Sequence, residues 1–278
     1  MKKAINIWSF AEPDLKKCIN IAAKAGFAGI EPAIMGSGYI TPASSVDELI
    51  SIKLYAEDKG VKIHSLANGL CWEFSLAADD PDERKKAYDI AVSQIKAAKI
   101  LGASAVLIVP GGVSSTFRPG IEPIAYDIVY ERNLEVFSKL KSVAEEFEIR
   151  IGIENVWNGI FLSPLEMNDF IDKLGSQYVG VYFDVGNVLI NGFPEHWIKI
   201  LGSRIVKIHF KDFRTNVAGL DGFVDLLSGD VNWCKVVQAL REINYDDWYT
   251  AEMTPPYKHF PEQIIFNTSS SMDKILSL

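Results

Sequence analysis

The sequence predicts a (β/α)8 TIM barrel. Three observations support this prediction. A short β-rich run, a turn and an amphipathic segment follow one another eight times along the 278 residues. Glycine stands just beyond several of the amphipathic segments, where helices commonly end. No linker rich in proline or serine, charge block or low-complexity tract divides the chain, so we expect residues 1–278 to form one domain.

The predicted strands are short runs rich in β-branched and aromatic residues. Most are apolar throughout, which is typical of strands that are buried on both faces of a parallel sheet. In chain order they are "AINIWSF" at 4–10, "GIEPAI" at 29–34, "VKIHSLA" at 61–67, "AVLIVP" at 105–110, "RIGIEN" at 150–155, "VGVYFD" at 179–184, "IVKIHF" at 205–210 and "YTAEM" at 249–253.

Helices are predicted between these strands from apolar residues at helical spacing. The clearest lie at 13–25, 46–59, 81–101, 125–147 and 232–243. In the helix predicted at 125–147, one face carries Phe137, Leu140 and Ala144, and glutamates occupy the other face. An open, doubly wound sheet is the alternative fold. It needs a glycine-rich phosphate turn after the first strand, and "IWSFAEPD" contains no glycine.

Bulk composition excludes several classes of function. A formal charge of −8 and a pI near 5.1 argue against nucleic-acid binding, which needs basic patches. The three cysteines stand far apart without a CxxC pair, which argues against a disulfide framework or a thiolate zinc site. No apolar run approaches the roughly 18 residues that span a membrane, and "KKAINIWSF" lacks a long apolar signal segment. We expect a cytoplasmic protein whose partner is a small molecule, with no nucleic acid and no membrane.

Four ionisable residues end the last four predicted strands. Glu154 ends the fifth strand, Asp184 the sixth, His209 nearly ends the seventh, and Glu252 nearly ends the eighth. Strand carboxyl ends meet at one mouth of a TIM barrel, so these side chains are expected to converge. Three buried carboxylates repel one another unless a cation lies among them. The pattern therefore predicts a divalent metal site.

The donor set narrows the choice of metal. Oxygen-rich ligation with one imidazole suits Mn²⁺, Mg²⁺ or Co²⁺ better than a structural zinc, although Zn²⁺ stays open. Taken singly, each residue also has a structural explanation. Glu154 can form an ion pair, Asp184 can stabilise a turn, His209 can pair with Asp212, and Glu252 can cap a turn. Their joint placement favours the metal site.

Other residues near the predicted mouth are candidates for substrate binding. His64 and Asn68 lie at the end of the third strand, and Glu31 ends "GIE" in the second run. Lys211 and Arg214 follow the seventh strand, where they could hold a phosphate or a carboxylate, although solvated loop charges are the alternative. Aromatic side chains at the strand tops could shield a sugar from water or simply pack in the core. These are Trp8, Phe10, Trp72, Phe117 and Trp157.

The motifs at these positions resemble those of the xylose isomerase-like TIM barrels. The specific branch is the sugar phosphate isomerases and epimerases, which includes ketose 3-epimerases and L-xylulose-5-phosphate 3-epimerase. The motifs that carry the resemblance are "GIEN" with Glu154, "YFDVGN" with Asp184, "KIHFKD" with His209, "SGDVNW" at 228–233 and "AEM" with Glu252. The resemblance extends along nearly the whole chain.

This resemblance implies an isomerase with one divalent ion, most often Mn²⁺, held by Glu154, Asp184, His209 and Glu252. It also implies that the two glutamates are the catalytic pair. One would remove the proton at C3 of a ketose, the metal would stabilise the enediolate, and the other glutamate would return a proton to the opposite face. Relatives are commonly homodimers or homotetramers, and either state is open for this chain.

Two positions depart from the pattern of the free-sugar 3-epimerases. Asn187 stands where those enzymes have a substrate-contacting histidine, and Ile160 stands where they have a glutamate. A ketose, a ketose phosphate and a sugar acid therefore all stay open as substrates. Two alternatives to the epimerase also stay open. One is a lyase resembling inosose dehydratase on the same site, and the other is a sugar-binding barrel without catalytic activity.

Overall fold

The computed structural model of the protein describes residues 2–114, 120–253 and 257–278. Its strands are β1 (Lys2–Asn6), β2 (Gly29–Glu31), β3 (Ala33–Ile34), β4 (Lys62–Ile63), β5 (Ser65–Asn68), β6 (Ala105–Ile108), β7 (Arg150–Glu154), β8 (Val179–Asp184), β9 (Ile205–Phe210), β10 (Asp212–Phe213), β11 (Phe223–Val224) and β12 (Trp248–Ala251). Apart from the antiparallel pair of β10 and β11, the strands pair in parallel.

The parallel strands close into a ring. β1 pairs with β2 on one side and with β12 on the other. Pro32 separates β2 from β3, and His64 separates β4 from β5, so each of these pairs forms one interrupted strand of the barrel. β2 pairs with β4 and β3 with β5, and β5 leads through β6, β7, β8 and β9 to β12. The predicted TIM barrel is confirmed.

Helices surround the strand ring. They are α1 (Leu15–Lys24), α2 (Val46–Asp58), α3 (Pro81–Leu101), α4 (Tyr126–Phe147), α5 (Pro164–Leu174), α6 (Val185–Val188), α7 (Pro194–Leu201), α8 (Trp233–Glu242) and α9 (Gln263–Leu276). Side chains of Asp14, Ser45 and Asp80 accept hydrogen bonds from the first-turn amides of α1, α2 and α3. In the part of the chain that is described, no helix has both the length and the apolar stretch required to cross a membrane.

Apolar side chains form two separate packing regions. The larger fills the space between the strand ring and the helices, and it includes Phe137, Leu140 and Ala144 on the inner face of α4. The smaller lies inside the barrel and consists of Ala33, Ala67, Leu107, Val109 and Tyr182. The second region forms an apolar wall near the carboxyl ends of the strands.

The first strand is shorter than the sequence predicts. It ends at Asn6, whose side-chain oxygen accepts a hydrogen bond of 2.7 Å from the amide of Trp8. This contact turns Ile7–Ser9 into a single 3-10 turn, as asparagine side chains commonly do. The predicted strand at 4–10 is therefore wrong beyond Asn6, and Trp8 lies on a turn above the barrel mouth.

Candidate metal centre

The four predicted ligands converge at the barrel mouth. Glu154 and Asp184 end β7 and β8, His209 is the fifth residue of β9, and Glu252 directly follows β12. One ligand atom from each lies within 4.8 Å of the others. His209 Nδ1 is 3.1 Å from Glu252 Oε2, 3.6 Å from Glu154 Oε1 and 3.9 Å from Asp184 Oδ2. Parallel register explains this convergence, because Asp184 pairs directly with His209.

The polar atoms of this cluster suit a metal ion. Within the described ranges, Asp184 Oδ2, His209 Nδ1 and Glu252 Oε2 are buried and make no well-aligned hydrogen bond, although Lys211 lies close to two of them. Buried polar atoms are costly unless their bonding capacity is satisfied, so three of them that face one another suit a shared cation. Three carboxylates and one imidazole form the mixed oxygen and nitrogen donor set of a divalent ion. The residues fit a single metal.

A buried carboxylate orients the histidine of this cluster. Glu31 Oε1 lies 2.7 Å from His209 Nε2 and accepts a second hydrogen bond of 2.7 Å from Asn6 Nδ2. The other oxygen of Glu31 accepts hydrogen bonds from the hydroxyl groups of Ser65 and Tyr182. Glu31 therefore accepts a hydrogen bond from Nε2–H, and Nδ1 faces the three carboxylates.

The two glutamates of the cluster differ in their electrostatic surroundings. Burial, with the charges of Glu252 and Asp184, raises the pKa of Glu154 to about 7, although contact with His209 opposes the rise. Burial also acts to raise the pKa of Glu252, but the charge of Lys211 and the contact with His209 outweigh it and hold the pKa below its usual range. Of the two glutamates, Glu154 is consequently the one that takes up a proton more readily.

Lys211 belongs to the cluster itself. Its ammonium group lies 2.9 Å from Glu252 Oε2 and 3.4 Å from Asp184 Oδ2, and it stands 4.8 Å from the centre of the Phe223 ring. The side chain is almost fully buried. The sequence predicts that Lys211 binds a phosphate or carboxylate of the substrate. In the structure its charge is already shared by two carboxylates of the cluster.

Two asparagines lock the ends of β7 and β8 together. The Asn155 side chain donates a hydrogen bond of 2.9 Å to the carbonyl of Asp184 and accepts one of 2.8 Å from the amide of Asp184. Asn187 donates its backbone amide to Asp184 Oδ1 at 2.7 Å and its side-chain amide to the carbonyl of Asn155 at 3.0 Å. These bonds fix the Asp184 carboxylate so that only Oδ2 faces the ligand set. Asn187 thus lies at the site, with its amide group engaged by the backbone.

Aromatic side chains line the mouth on two sides. Trp157 donates a hydrogen bond of 2.8 Å to the carbonyl of Asn187 and stacks on Phe223 with ring centres 4.9 Å apart. Trp8 and Trp72 pack at the edge of the inner apolar wall. Next to that wall, a cavity of about 280 Å³ opens among the loops that follow β5, β6 and β7, and Trp72, Val109 and Asn158 are part of its lining.

Three other predicted residues make their described contacts with residues outside the cluster. Asn68 is buried at the end of β5, where it bonds Gln94 and the amide of Leu70. Phe10 packs against the larger core. Arg214 is exposed and donates to the carbonyl of Ser228 at 2.9 Å. Phe117 lies outside the described residues.

His64 lies below the mouth, inside the barrel. Its ring stacks on Trp248, the first residue of β12, with centres 4.9 Å apart, and its Nε2 is 3.2 Å from Thr250 Oγ1. His64 therefore lies beneath the cluster, where it interacts electrostatically with Glu31 and His209. Ile160, at the position of the family glutamate, is a buried core residue.

The alternative pairing of His209 with Asp212 is wrong. The Asp212 carboxylate instead accepts hydrogen bonds from the amides of Phe213, Leu227 and Val231 and from the Trp233 indole. Sequence analysis also missed Asn6, Ser65 and Tyr182 as partners of Glu31. One signal was available for Lys211, since strand alternation in "KIHFK" places it on the same face as His209.

Comparison with known proteins agrees with this architecture. A family model described as a xylose isomerase-like TIM barrel matches residues 19–269. A D-psicose 3-epimerase of Enterocloster bolteae is 26% identical over 247 residues, which cover 84% of this chain and 74% of that protein. An uncharacterised protein of Methanocaldococcus jannaschii is 23% identical over 252 residues, covering 88% and 81% of the two chains.

Solved structures show the same fold. The structure of the IolI protein with a binding zinc atom matches with a TM-score of 0.82 at 19% identity, covering 100% of this chain and 98% of that one. A D-psicose 3-epimerase in the presence of D-fructose matches with a TM-score of 0.77 at 20% identity, covering 100% and 97% of the two chains.

Proposed function

Because this chain belongs to the xylose isomerase-like TIM barrel family, we propose that it is a metal-dependent sugar epimerase or isomerase acting on a ketose, its phosphate or a sugar acid. One observation carries the proposal. Atoms of two glutamates, an aspartate and a histidine lie within 4.8 Å of one another at the carboxyl ends of the strands. Active sites of TIM barrels are found at that end.

We propose that Glu154, Asp184, His209 and Glu252 hold one divalent ion, for which Mn²⁺ is the first candidate and Mg²⁺, Co²⁺ and Zn²⁺ are alternatives. When bound, the ion supplies positive charge that stabilises the negative charge of an enediolate. Glu31 supports this role for His209, because its contact of 2.7 Å with Nε2 orients the imidazole and leaves Nδ1 for the ion.

Glu154 and Glu252 are the proposed acid and base. They come from β7 and from the end of β12, and two strands, β8 and β9, separate them around the ring. They therefore approach a sugar at the centre of the mouth from different directions, which inversion of a carbon centre requires. One carboxylate would take the proton next to the carbonyl, and the other would return a proton to the opposite face. The pKa of about 7 at Glu154 supports proton exchange near neutral pH.

The D-psicose 3-epimerase relative supports a ketose as the substrate class. We propose that Trp8, Trp157 and Asn187 contact it from the mouth and that Asn68 borders the same space. The aromatic faces would exclude water from the reacting carbon. A cytoplasmic location and a homodimer or homotetramer stay predictions of the sequence.

Isotope exchange tests the proposed function. The Mn²⁺-loaded protein is incubated in D₂O with a panel of ketoses, ketose phosphates and keto acids of sugars, and the products are analysed by NMR and mass spectrometry. We expect deuterium at the carbon next to the carbonyl, and inversion of that carbon. Loss of water from the product would instead identify the lyase. No exchange with any substrate by the loaded protein would contradict both enzymes.

Two variants identify the acid and base. Glu154→Gln and Glu252→Gln should each lower the exchange rate by about 10²- to 10⁴-fold, the usual contribution of a general acid or base. Sugar binding that persists in both variants, combined with no turnover by the parent protein, would indicate the sugar-binding barrel.

A further inference from the structure

The cluster at the barrel mouth contains one more positive charge than the predicted ligand set. Lys211 is the second residue after His209, and Lys207 precedes His209 by two. Alternation along β9 directs these three side chains into the barrel. Lys207 pairs with Asp247 at 2.7 Å near the opposite end, whereas Lys211 reaches Glu252 and Asp184 at the mouth.

The Lys211 ammonium is held in place by its surroundings. The side chain is almost fully buried, and its charged end lies over the Phe223 ring at 4.8 Å. Its backbone packs against α6, where a Cβ added to Gly186 would come within 2.9 Å of the Lys211 carbonyl oxygen. A charge so enclosed has little freedom to swing out to solvent when a substrate enters.

Formal charges show what this ammonium does for the centre. Glu154, Asp184 and Glu252 carry three negative charges when all act as ligands, and a divalent ion neutralises two of them. His209, whose Nε2–H donates a hydrogen bond to Glu31, is a neutral imidazole and adds no charge when Nδ1 is a ligand. Lys211 neutralises the third carboxylate. The ion, its three carboxylate ligands and Lys211 therefore sum to zero charge, and the ionised Glu31 behind His209 adds one negative charge. Without Lys211 a second buried negative charge is left uncompensated.

Resting on the proposed metal chemistry, we propose that Lys211 is a fixed cation of the metal centre, a positioning residue that balances its charge and limits its affinity for the divalent ion. The ammonium shares Glu252 Oε2 and Asp184 Oδ2 with any ion that the ligand set holds. It repels that ion, while it keeps both carboxylates in place before the ion arrives. Lys211 is consequently not free to hold a phosphate or carboxylate of the substrate.

Metal titration tests this role without measuring activity. The protein is stripped with a chelator, and MnCl₂ is titrated by calorimetry into the parent and the variants Lys211→Met, Lys211→Gln and Lys211→Arg. Loss of the charge should tighten Mn²⁺ binding by about tenfold or more, because repulsion between like charges at this range is strong in a buried site. Lys211→Arg keeps the charge and should bind Mn²⁺ within about threefold of the parent.

Lys207→Met is the matched control, since it removes a buried, ion-paired lysine that lies two residues before His209, whereas Lys211 lies two residues after it. It should lower the melting temperature and leave the Mn²⁺ affinity unchanged. Lys211→Met should lower the melting temperature of the stripped protein more than that of the loaded protein, because bound Mn²⁺ offsets part of the lost positive charge.

The outcomes separate this inference from the proposed function. Unchanged or weaker Mn²⁺ binding by Lys211→Met and Lys211→Gln overturns the role of Lys211, whatever the exchange experiment gives. Tighter binding by both variants supports it, even when no ketose exchanges deuterium. A parent protein that binds no Mn²⁺ overturns the inference together with the metal site.

Discussion

Glu31 is the buried residue on which the orientation of His209 depends. Its carboxylate accepts hydrogen bonds from His209, Asn6, Ser65 and Tyr182, so each oxygen has two donors. Although burial acts to raise its pKa, the charge and hydrogen bond of His209 lower it to about 2. Glu31 is therefore ionised at neutral pH and stabilises a proton on His209 Nε2.

Replacing this carboxylate should weaken metal binding. Glu31→Gln keeps the shape of the side chain but removes its charge and presents an amide that can turn toward the ring. We expect Mn²⁺ affinity to fall by about 10- to 100-fold, as is common when the partner of a metal-bound histidine is changed. Calorimetry of the stripped protein measures the change. Tyr182→Phe is the control, because it removes a different donor to Glu31 and leaves the contact with His209. Equal losses in both variants would contradict a specific role in orienting His209.

At the residue scale, the sequence could predict which four ionisable residues cluster at the mouth, but it could not predict the side chains that hold them in place. Glu154 and Asp184 each end an apolar run, and a buried acid in such a place is unusual enough to be noticed. Glu31 was noticed for the same reason, but its partners come from β1, β5, β8 and β9. Which distant side chains meet a given carboxylate depends on the register of the closed ring, and local pattern does not contain that information.

The short hairpin of β10 and β11 shows how one side chain holds an element in place. Asp212 accepts hydrogen bonds from the amides of Leu227 and Val231 at 2.9 and 3.2 Å, and from the Trp233 indole at 3.1 Å. Asp212 itself is fully buried. It thereby ties the loop after β9, which carries Lys211, to the start of α8.

Removing this carboxylate should destabilise the fold. Asp212→Ala leaves several buried donors without an acceptor, and we expect the free energy of unfolding to fall by about 3 kcal/mol or more. Urea denaturation measures the loss. Asp230→Ala is the control from the same loop. Its carboxylate is exposed and, among the described hydrogen bonds, accepts only those of Thr215. We therefore expect the free energy of unfolding to fall by about 1 kcal/mol. A loss from Asp212→Ala no larger than that of the control would refute the anchoring role.

Element boundaries were predictable where the chain itself carries the stop signal. The helix predicted at 81–101 is observed as α3 with the same bounds, since Asp80 caps its start and Gly102 takes a left-handed conformation at its end, with φ of 76°. The end of the first strand was not predictable, because it depends on whether the Asn6 side chain forms a hydrogen bond with the nearby backbone or with a distant side chain. Asn6 does both, through Oδ1 to Trp8 and through Nδ2 to Glu31.

Across the whole molecule, the barrel interior is charged at both ends. Lys207 and Arg150 pair with Asp247 at 2.7 and 2.9 Å near the strand amino ends, and the proposed metal ligands with Lys211 occupy the carboxyl ends. We propose that residues 1–278 form one domain, since β1 and β12 pair to close the ring. The sequence could predict this closure from eight repeated units, but it could not predict the lower ion cluster, because Asp247 lies in a loop just before β12.

His64 lies between these two charged ends. It is fully buried, and burial with the nearby charge of Lys207 lowers its pKa to about 3. The groups that face it also include Glu31, Asp247 and His209. The ring is therefore neutral in the folded protein over most of the acid range, and stacking on Trp248 replaces its contact with water.

This burial should make the stability of the protein depend on pH. An unfolded histidine takes up a proton below a pH of about 6.5, while the folded protein keeps His64 neutral down to a pH of about 3. Between these values the unfolded state binds one more proton, so stability falls with falling pH by about 1.4 kcal/mol per pH unit from this group.

His64→Gln removes this contribution. The variant should be less stable than the parent at pH 7, because it loses the stacking on Trp248, and the gap should narrow as the pH falls from 6.5 to 4. Urea denaturation at four pH values, with chelator present throughout, measures the gap. A gap between His64→Gln and the parent that stays constant from pH 6.5 to pH 4 would mean that His64 takes up its proton at the same pH in the folded and unfolded states, and it would contradict the prediction.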